Sequence, residues 1–173
     1  KNREISDNNR IRLNTIKAPR GIIYDRNDIP LTRNTPLYER ITKEGREEFL
    51  SRDEALVMAA TGEGLLIAPT REYIYASVSA HLVGYLSEVT KEELASLKKI
   101  GNTDYKLSDR VGRLGVEETA ENILRGIDGK ELIETDARGI VTKKIGEKEP
   151  ISGRDIKISI DLKLQKSLAK FFP

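Results

Sequence analysis

Two stretches, Ser96 to Lys99 and Ser167 to Lys170, carry S-x-x-K, the spacing that sets a lysine amine one helical turn beyond a serine hydroxyl, where it can take the hydroxyl's proton. Ser6 to Asn8 carries the companion S-x-N. The chemistry would be acyl transfer through a serine ester. The set is incomplete: the S-x-N precedes both copies, no K-T-G or K-S-G strand exists, and a chain with 30 lysines and arginines produces S-x-x-K by chance. His81, the single histidine, stands in SAHLVGYL among small and apolar residues, a setting that predicts a buried or half-buried hydrogen-bonding group. A self-standing serine hydrolase using His81 is the alternative reading. The pairs Glu47/Glu48, Glu92/Glu93 and Glu117/Glu118 are adjacent in sequence rather than set to face each other across a cleft, and read as solvated helix faces.

Other chemistries also lack their parts. Gly126 to Lys130 (GIDGK) is too short for a phosphate-binding loop, Gly112 to Gly115 (GRLG) lacks the third glycine of a dinucleotide turn, and NTDYKLSDRVG does not space calcium ligands. With no cysteine and one histidine there is no disulfide, no thiolate nucleophile and no zinc set. The expectation is no catalytic residue, no metal and no cofactor.

The elements that hold these residues follow from patterning. The 173 residues are 38% hydrophobic and 34% charged, enough for one ordinary domain or two small ones. A net charge of +2 argues against a nucleic-acid partner. Residues 1–20 carry 6 basic and 2 acidic groups, residues 21–140 carry 16 and 22, and residues 141–173 carry 8 and 4, so basic ends flank an acidic middle. The basic start suits a juxtamembrane segment or a solvated arm. ALVMAA and GLLIAP, the longest apolar runs, fall far short of the roughly 20 residues that span a bilayer. The chain opens at Lys1 without Met or an apolar leader core, so an upstream targeting or anchoring segment is expected to have been removed.

Pro19 ends a polar lead-in, a strand is expected at Gly21–Tyr24, and Arg26-Asn27-Asp28 reads as a hairpin turn leading to a short strand near Leu31. Capping boxes, Ser51 with Glu54 and Thr90 with Glu93, open two helices that Gly62 and Gly101 stop, and a third helix is expected from Val116 to Leu124, closed by Gly126. KELIETDARGIVTKKI pairs two alternating runs around a turn at Gly139, and Ile156, Ile158 and Ile160 alternate before the period becomes helical. The apolar residues of that last helix, Leu162, Leu164, Leu168, Phe171 and Phe172, need something to dock on. The fold class is α+β, with small antiparallel sheets and short helices.

One ordered series of motifs carries a resemblance. RGIIYDRN (Arg20 to Asn27), REYIY with AHLVGYL (Arg71 to Leu86), GRLGVEETAENILRGIDG (Gly112 to Gly129), ETDARG (Glu134 to Gly139) and PISGRDIKISIDLKLQ (Pro150 to Gln165) resemble, in this order and over nearly the whole chain, the N-terminal non-catalytic region of class B penicillin-binding proteins. HLVGYLSEVTKEEL looks closer to the elongation branch than to the division branch. Two departures stand out: Asp28 where the family usually has glycine, and only 36 positions between Asn34 and Arg71, which shortens the head lobe many members carry.

The resemblance implies an elongated pedestal, or dimerisation, fold. It comprises a membrane-proximal lead-in at 1–19, a pedestal at 20–161 with a short head lobe around 35–70, and a truncated linker helix at 162–173 toward an absent transpeptidase domain. Arg20, Gly21, Asp25, Arg26 and Asn27 would form a clasp where the chain enters the pedestal. Arg71, His81, Gly84, Gly112, Gly115, Glu117, Gly126, Asp136 and Gly139 would serve packing, with Gly84 and Gly115 admitting a helix against a sheet and Glu117 capping or pairing with an arginine. It further implies a place on the outer face of the cytoplasmic membrane, periplasmic or extracellular, behind an upstream anchor. The partners implied are a SEDS-type glycosyltransferase, other cell-elongation proteins, the parent's own C-terminal transpeptidase domain and a possible homodimer.

Overall fold

The computed structural model describes residues 11–41, 47–61, 65–99, 105–107, 109–135 and 141–171. In chain order the strands are β1 (Ile11–Ile16), β2 (Ile23–Tyr24), β3 (Thr32–Ile41), β4 (Glu47–Leu50), β5 (Leu65–Tyr73), β6 (Leu86–Glu88), β7 (Arg110–Gly112), β8 (Gly129–Thr135), β9 (Val141–Lys148) and β10 (Ile156–Lys157). The helices are α1 (Arg52–Thr61), α2 (Ala76–Val83), α3 (Lys91–Lys99), α4 (Gly115–Thr119), α5 (Glu121–Leu124) and α6 (Leu162–Phe171). This is the α+β mixture of small sheets and short helices that the patterning predicts. Two compact units divide it, each assembled from three separate stretches of chain.

The first unit takes Lys1–Arg20, Asn34–Thr70 and Gly126–Gly153. Its main sheet has the order β1-β8-β9, antiparallel throughout, with Ile11 opposite Glu134 and Ile16 opposite Gly129. The β8–β9 hairpin is the one the alternating runs predict; its turn, with Asp136 and Gly139, lies outside the described residues. A second sheet has the order β4-β3-β5, with α1 between β4 and β5 in the chain. That helix begins as its sequence requires: Ser51 Oγ accepts from the Glu54 N–H at 3.3 Å while the Glu54 carboxylate accepts from the Ser51 N–H at 2.8 Å. Ala55 and Met58 are its buried positions, and Leu56 and Val57 face out.

The second unit takes Gly21–Arg33, Arg71–Arg125 and Arg154–Pro173. Its core is Ile23, Leu31, Val83, Leu124 and Leu162, with Ile29, Tyr73, Tyr75, Val116, Ala120, Ile156 and Ile158 packed around it. The hairpin turn after β2 forms as expected, with Leu31 N–H donating to Ile23 O at 2.7 Å and Asp28 in the left-handed region at φ +63°. The same capping reciprocity opens α3, where Thr90 N–H donates to Glu93 Oε2 and Glu93 N–H to Thr90 Oγ1.

Three local expectations change. The strand expected at Gly21–Tyr24 is laddered only at Ile23–Tyr24, because the Gly21 N–H is taken by Leu124 O and the Ile22 N–H by the Asp155 carboxylate. Its partner β10 runs parallel to it, where small antiparallel sheets were expected. The single helix expected over Val116–Leu124 is two, broken at Ala120 (φ −103°, ψ 18°), and the break coincides with the Glu121 side chain turning inward to accept from the Gly112 N–H at 3.0 Å and the Tyr105 hydroxyl at 3.2 Å. Arg125, already extended, ends the second piece, and Gly126 follows.

Candidate functional site

Among the described residues a dense polar constellation lies in the second unit, where residues 21–31 meet residues 154–162. Asp25 sits in the turn after β2 with no exposed surface. One carboxylate oxygen accepts the N–H groups of Asn27 at 2.7 Å and Ile29 at 2.9 Å, which shapes the turn as an Asx loop. The other accepts the N–H of Leu162, the first residue of α6, at 3.1 Å, and the Asn27 amide at 3.4 Å. Burial pushes the Asp25 carboxyl up; the N–H donors of Ile29, Leu162 and Asn27 outweigh it and hold the group below the usual aspartate value.

Asp161 mirrors it from the other side. Its Oδ1 accepts the N–H groups of Lys163 and Leu164, capping α6, and its Oδ2 accepts from Arg26 Nε at 3.1 Å and the Asn27 amide at 3.2 Å, with Arg26 Nη2 at 2.9 Å. The cap and these donors hold Asp161 below its usual value as well. Between the two aspartates the backbone is stitched: Ile156 N–H to Ile22 O, Ile158 N–H to Tyr24 O and Arg26 N–H to Ile160 O, each 2.9 Å. Lys157 pairs with Asp28 at 2.8 Å. A Cβ on Gly21 would lie 2.0 Å from Arg154 O, so the approach of the two segments requires glycine there.

A buried ion pair supports the stitched segment. Arg71 Nε donates to Glu117 Oε1 at 2.8 Å with side chains 2% and 0% exposed, and Arg71 Nη1 donates to Gly21 O at 2.8 Å. Gly84 (φ +85°) and Gly115 (φ +59°) bring the end of α2 against the start of α4; a Cβ would fall 1.8 Å from Leu114 O at the first and 2.2 Å from Leu82 O at the second. The close packing is therefore between two helices rather than between a helix and a sheet. Gly112 similarly lies under the Glu117 carbonyl.

The remaining predicted residues lie elsewhere. Arg20 belongs to the first unit, where its carbonyl accepts from the Asn34 amide at 2.6 Å, and Gly126 packs there beneath Ile151 O. Asp136 and Gly139 fall outside the described residues. His81 corrects its expectation: it is exposed in the last turn of α2, because the buried positions of that helix are Ser79 and Val83, on the face away from it. Ser96 and Ser167 donate their hydroxyls to the carbonyls of Glu92 and Lys163 in their own helices. Among the described residues no group of three His, Cys, Asp or Glu could hold a metal ion, and no helix is long and apolar enough to cross a membrane.

Sequence reasoning missed Asp155, Asp161 and two further clusters. Arg113 binds the Glu93 carboxylate, Ser87 Oγ and Glu88 O, and this guanidinium, with the Thr90 N–H, lowers Glu93 to about 2. Arg125 lies 3.6 Å from the centroid of the Tyr105 ring and pairs with Asp109 at 3.1 Å. Only Asp161 left a readable signal, an aspartate directly before a helical run.

Residues 61–158 match the model of the Penicillin-binding Protein dimerisation domain. The Peptidoglycan D,D-transpeptidase MrdA of Acinetobacter baumannii is 28% identical over 205 residues, covering 92% of this chain and 30% of that protein. That of Escherichia coli is 28% identical over 206 residues, covering 92% and 32%. Among solved structures, the complex between Penicillin-Binding Protein (PBP2) and MreC from Helicobacter pylori matches with a TM-score of 0.63 at 17% identity, covering 94% of this chain and 38% of that one, which shows a shared fold. The chain thus spans about a third of the length of the relatives it matches.

Proposed function

The chain belongs to the penicillin-binding-protein dimerisation-domain family, and from that premise we propose that it is the non-catalytic pedestal of an elongation-type peptidoglycan D,D-transpeptidase, positioning a catalytic domain that lies beyond residue 173. The observation that carries the reading is the interlock of residues 21–31 with 154–162. Its polar side chains are spent on backbone N–H groups and on one another, which is the chemistry of positioning rather than of bond-making. The clasp of Gly21, Asp25, Arg26 and Asn27 then joins the first and last motifs of the series, with Arg71 and Glu117 beneath it.

The reading extends to partners. A SEDS-type glycosyltransferase and other cell-elongation proteins would engage the pedestal on the outer face of the cytoplasmic membrane, with residues 20–37 and 71–86 proposed as the contact toward the glycosyltransferase. The solved relative held with MreC supports partner binding by this fold. So do the exposed large apolar side chains Phe49, Leu56, Val57 and Ile67 of the first unit and Tyr85 of the second.

A fluorescent β-lactam tests the non-catalytic part: the purified chain stays unlabelled, and acylation at Ser96 or Ser167 would sink the reading. Charge reversals at exposed positions of 20–37 and 71–86 in the full-length parent test the partner part. Loss of co-purification with the glycosyltransferase and of stimulated glycan polymerisation is expected; survival of both with the fold intact would place the contact elsewhere.

A further inference from the structure

The attachment of α6 is concentrated at one end. Leu162 is buried at 3% exposure, whereas Leu164, Leu168 and Phe171 are 58%, 45% and 78% exposed. Among the described residues the apolar stripe expected to dock therefore contributes one anchored residue, and Phe172 lies outside them. The first turn carries the polar ties: Asp25 takes the Leu162 N–H, and Asp161 takes the Lys163 and Leu164 N–H groups on one oxygen and Arg26 with Asn27 on the other. The second turn adds a 3.3 Å bond from the Gln165 amide to Val78 O and the Lys166 ammonium 3.9 Å over the Tyr75 ring. Residues 167–171 are all exposed, and the Ser167 hydroxyl bonds within the helix.

We propose that Asp25, Arg26, Asn27 and Asp161 form a latch that holds α6 by its first turn, so that the helix detaches as a unit while the rest of the second unit stays folded. The two aspartates divide the work. Asp25 is enclosed and shapes its own turn, so it is the fixed half. Asp161 faces Arg26, whose side chain is 58% exposed, so this half is open to water and to screening by salt. Local opening of an element with few buried contacts costs less than global unfolding, and α6 has one buried side chain against five in the core to which it belongs. That α6 leads toward a catalytic domain rests on the function proposed above. The latch itself does not, and it is tested on this chain whatever the partner experiments return.

Hydrogen exchange read by mass spectrometry on the 173-residue chain separates the latch from a mere helix cap. An Arg26→Ala/Asn27→Ala double variant leaves Asp161 Oδ1 free to cap α6 but removes its tie to the turn. Exchange over 162–171 should rise about five-fold, the size of losing one capping-strength interaction, while 115–124 keeps its protection. Asp161→Ala, losing both cap and tie, should raise it further. In the wild type, moving from about 0.05 M to about 0.5 M salt should speed exchange over 162–171, and the double variant should have lost that response. Unchanged α6 exchange in the double variant would show that Asp161 is a cap only and overturn the latch; so would a rise shared equally by 115–124.

Discussion

Replacing Glu117 by glutamine keeps the shape and an acceptor for Arg71 Nε but deletes the charge that the guanidinium was buried against. With side chains 2% and 0% exposed and 2.8 Å between Nε and Oε1, the pair sits where water cannot take over the lost interaction. Breaking such a pair from one side costs roughly 3–5 kcal/mol, most of it the penalty of leaving the remaining charge uncompensated. For a chain of this size each kcal/mol shifts the midpoint by about 2–4 °C, so the second unit's transition should fall by roughly 6–20 °C in scanning calorimetry. Arg71→Met should cost a similar amount, and it also removes the 2.8 Å bond to Gly21 O that steadies the start of the stitched segment. The Arg71→Met/Glu117→Gln pair strands no charge, so its loss should be smaller than the sum of the singles by more than about 1 kcal/mol. Two results would refute the reasoning: a Glu117→Gln midpoint within about 2 °C of the wild type, or strictly additive losses in the cycle.

Three further outcomes are expected. Gly115→Val forces a β-branched residue to φ +59° with its Cβ 2.2 Å from Leu82 O; the left-handed backbone alone costs about 1–2 kcal/mol, and denaturant titration should show at least that loss. Lowering the pH should weaken the fold through Glu93, Asp25 and Asp161. Their folded-state values are depressed, so the stability they contribute is complete above about pH 4.5, the ordinary Glu93 value, and drains away as the pH falls toward about 2, where Glu93 titrates in the folded chain; urea midpoints at about pH 6, about pH 4 and about pH 3 should fall in that order. Thr90→Ala removes the acceptor for the Glu93 N–H at the start of α3 and should cost about 1 kcal/mol, seen as faster amide exchange over 91–99 with little change elsewhere.

Short-range chemistry is legible in the sequence alone. Each capping box closes within three residues, so Ser51–Glu54 and Thr90–Glu93 announce their helices from composition and spacing alone. The Asp25-to-Ile29 turn is equally local, because an aspartate accepts from N–H groups two and four residues on. The β8–β9 hairpin was legible because two alternating runs separated by a turn have one economical pairing. His81 misled because SAHLVGYL has the composition of a core, whereas exposure depends on which side of α2 a residue takes, and Ser79 and Val83 take the inner one.

What the sequence by itself determined is therefore the set of local devices and, through the order of its glycine-bearing motifs, the family to which the chain belongs. What only the tertiary structure decided is which devices meet. The parallel pairing of β2 with β10, the bond from Leu162 to Asp25 across 137 positions and the Arg71–Glu117 pair across 46 have no periodicity to announce them. An N–H or a guanidinium donates to any carboxylate of suitable geometry, and the choice among 28 acidic residues is made by burial. Once Ile23, Leu31, Val83, Leu124 and Leu162 are gathered into one core, the polar groups carried in with them must find partners there or bear the cost of lost hydration.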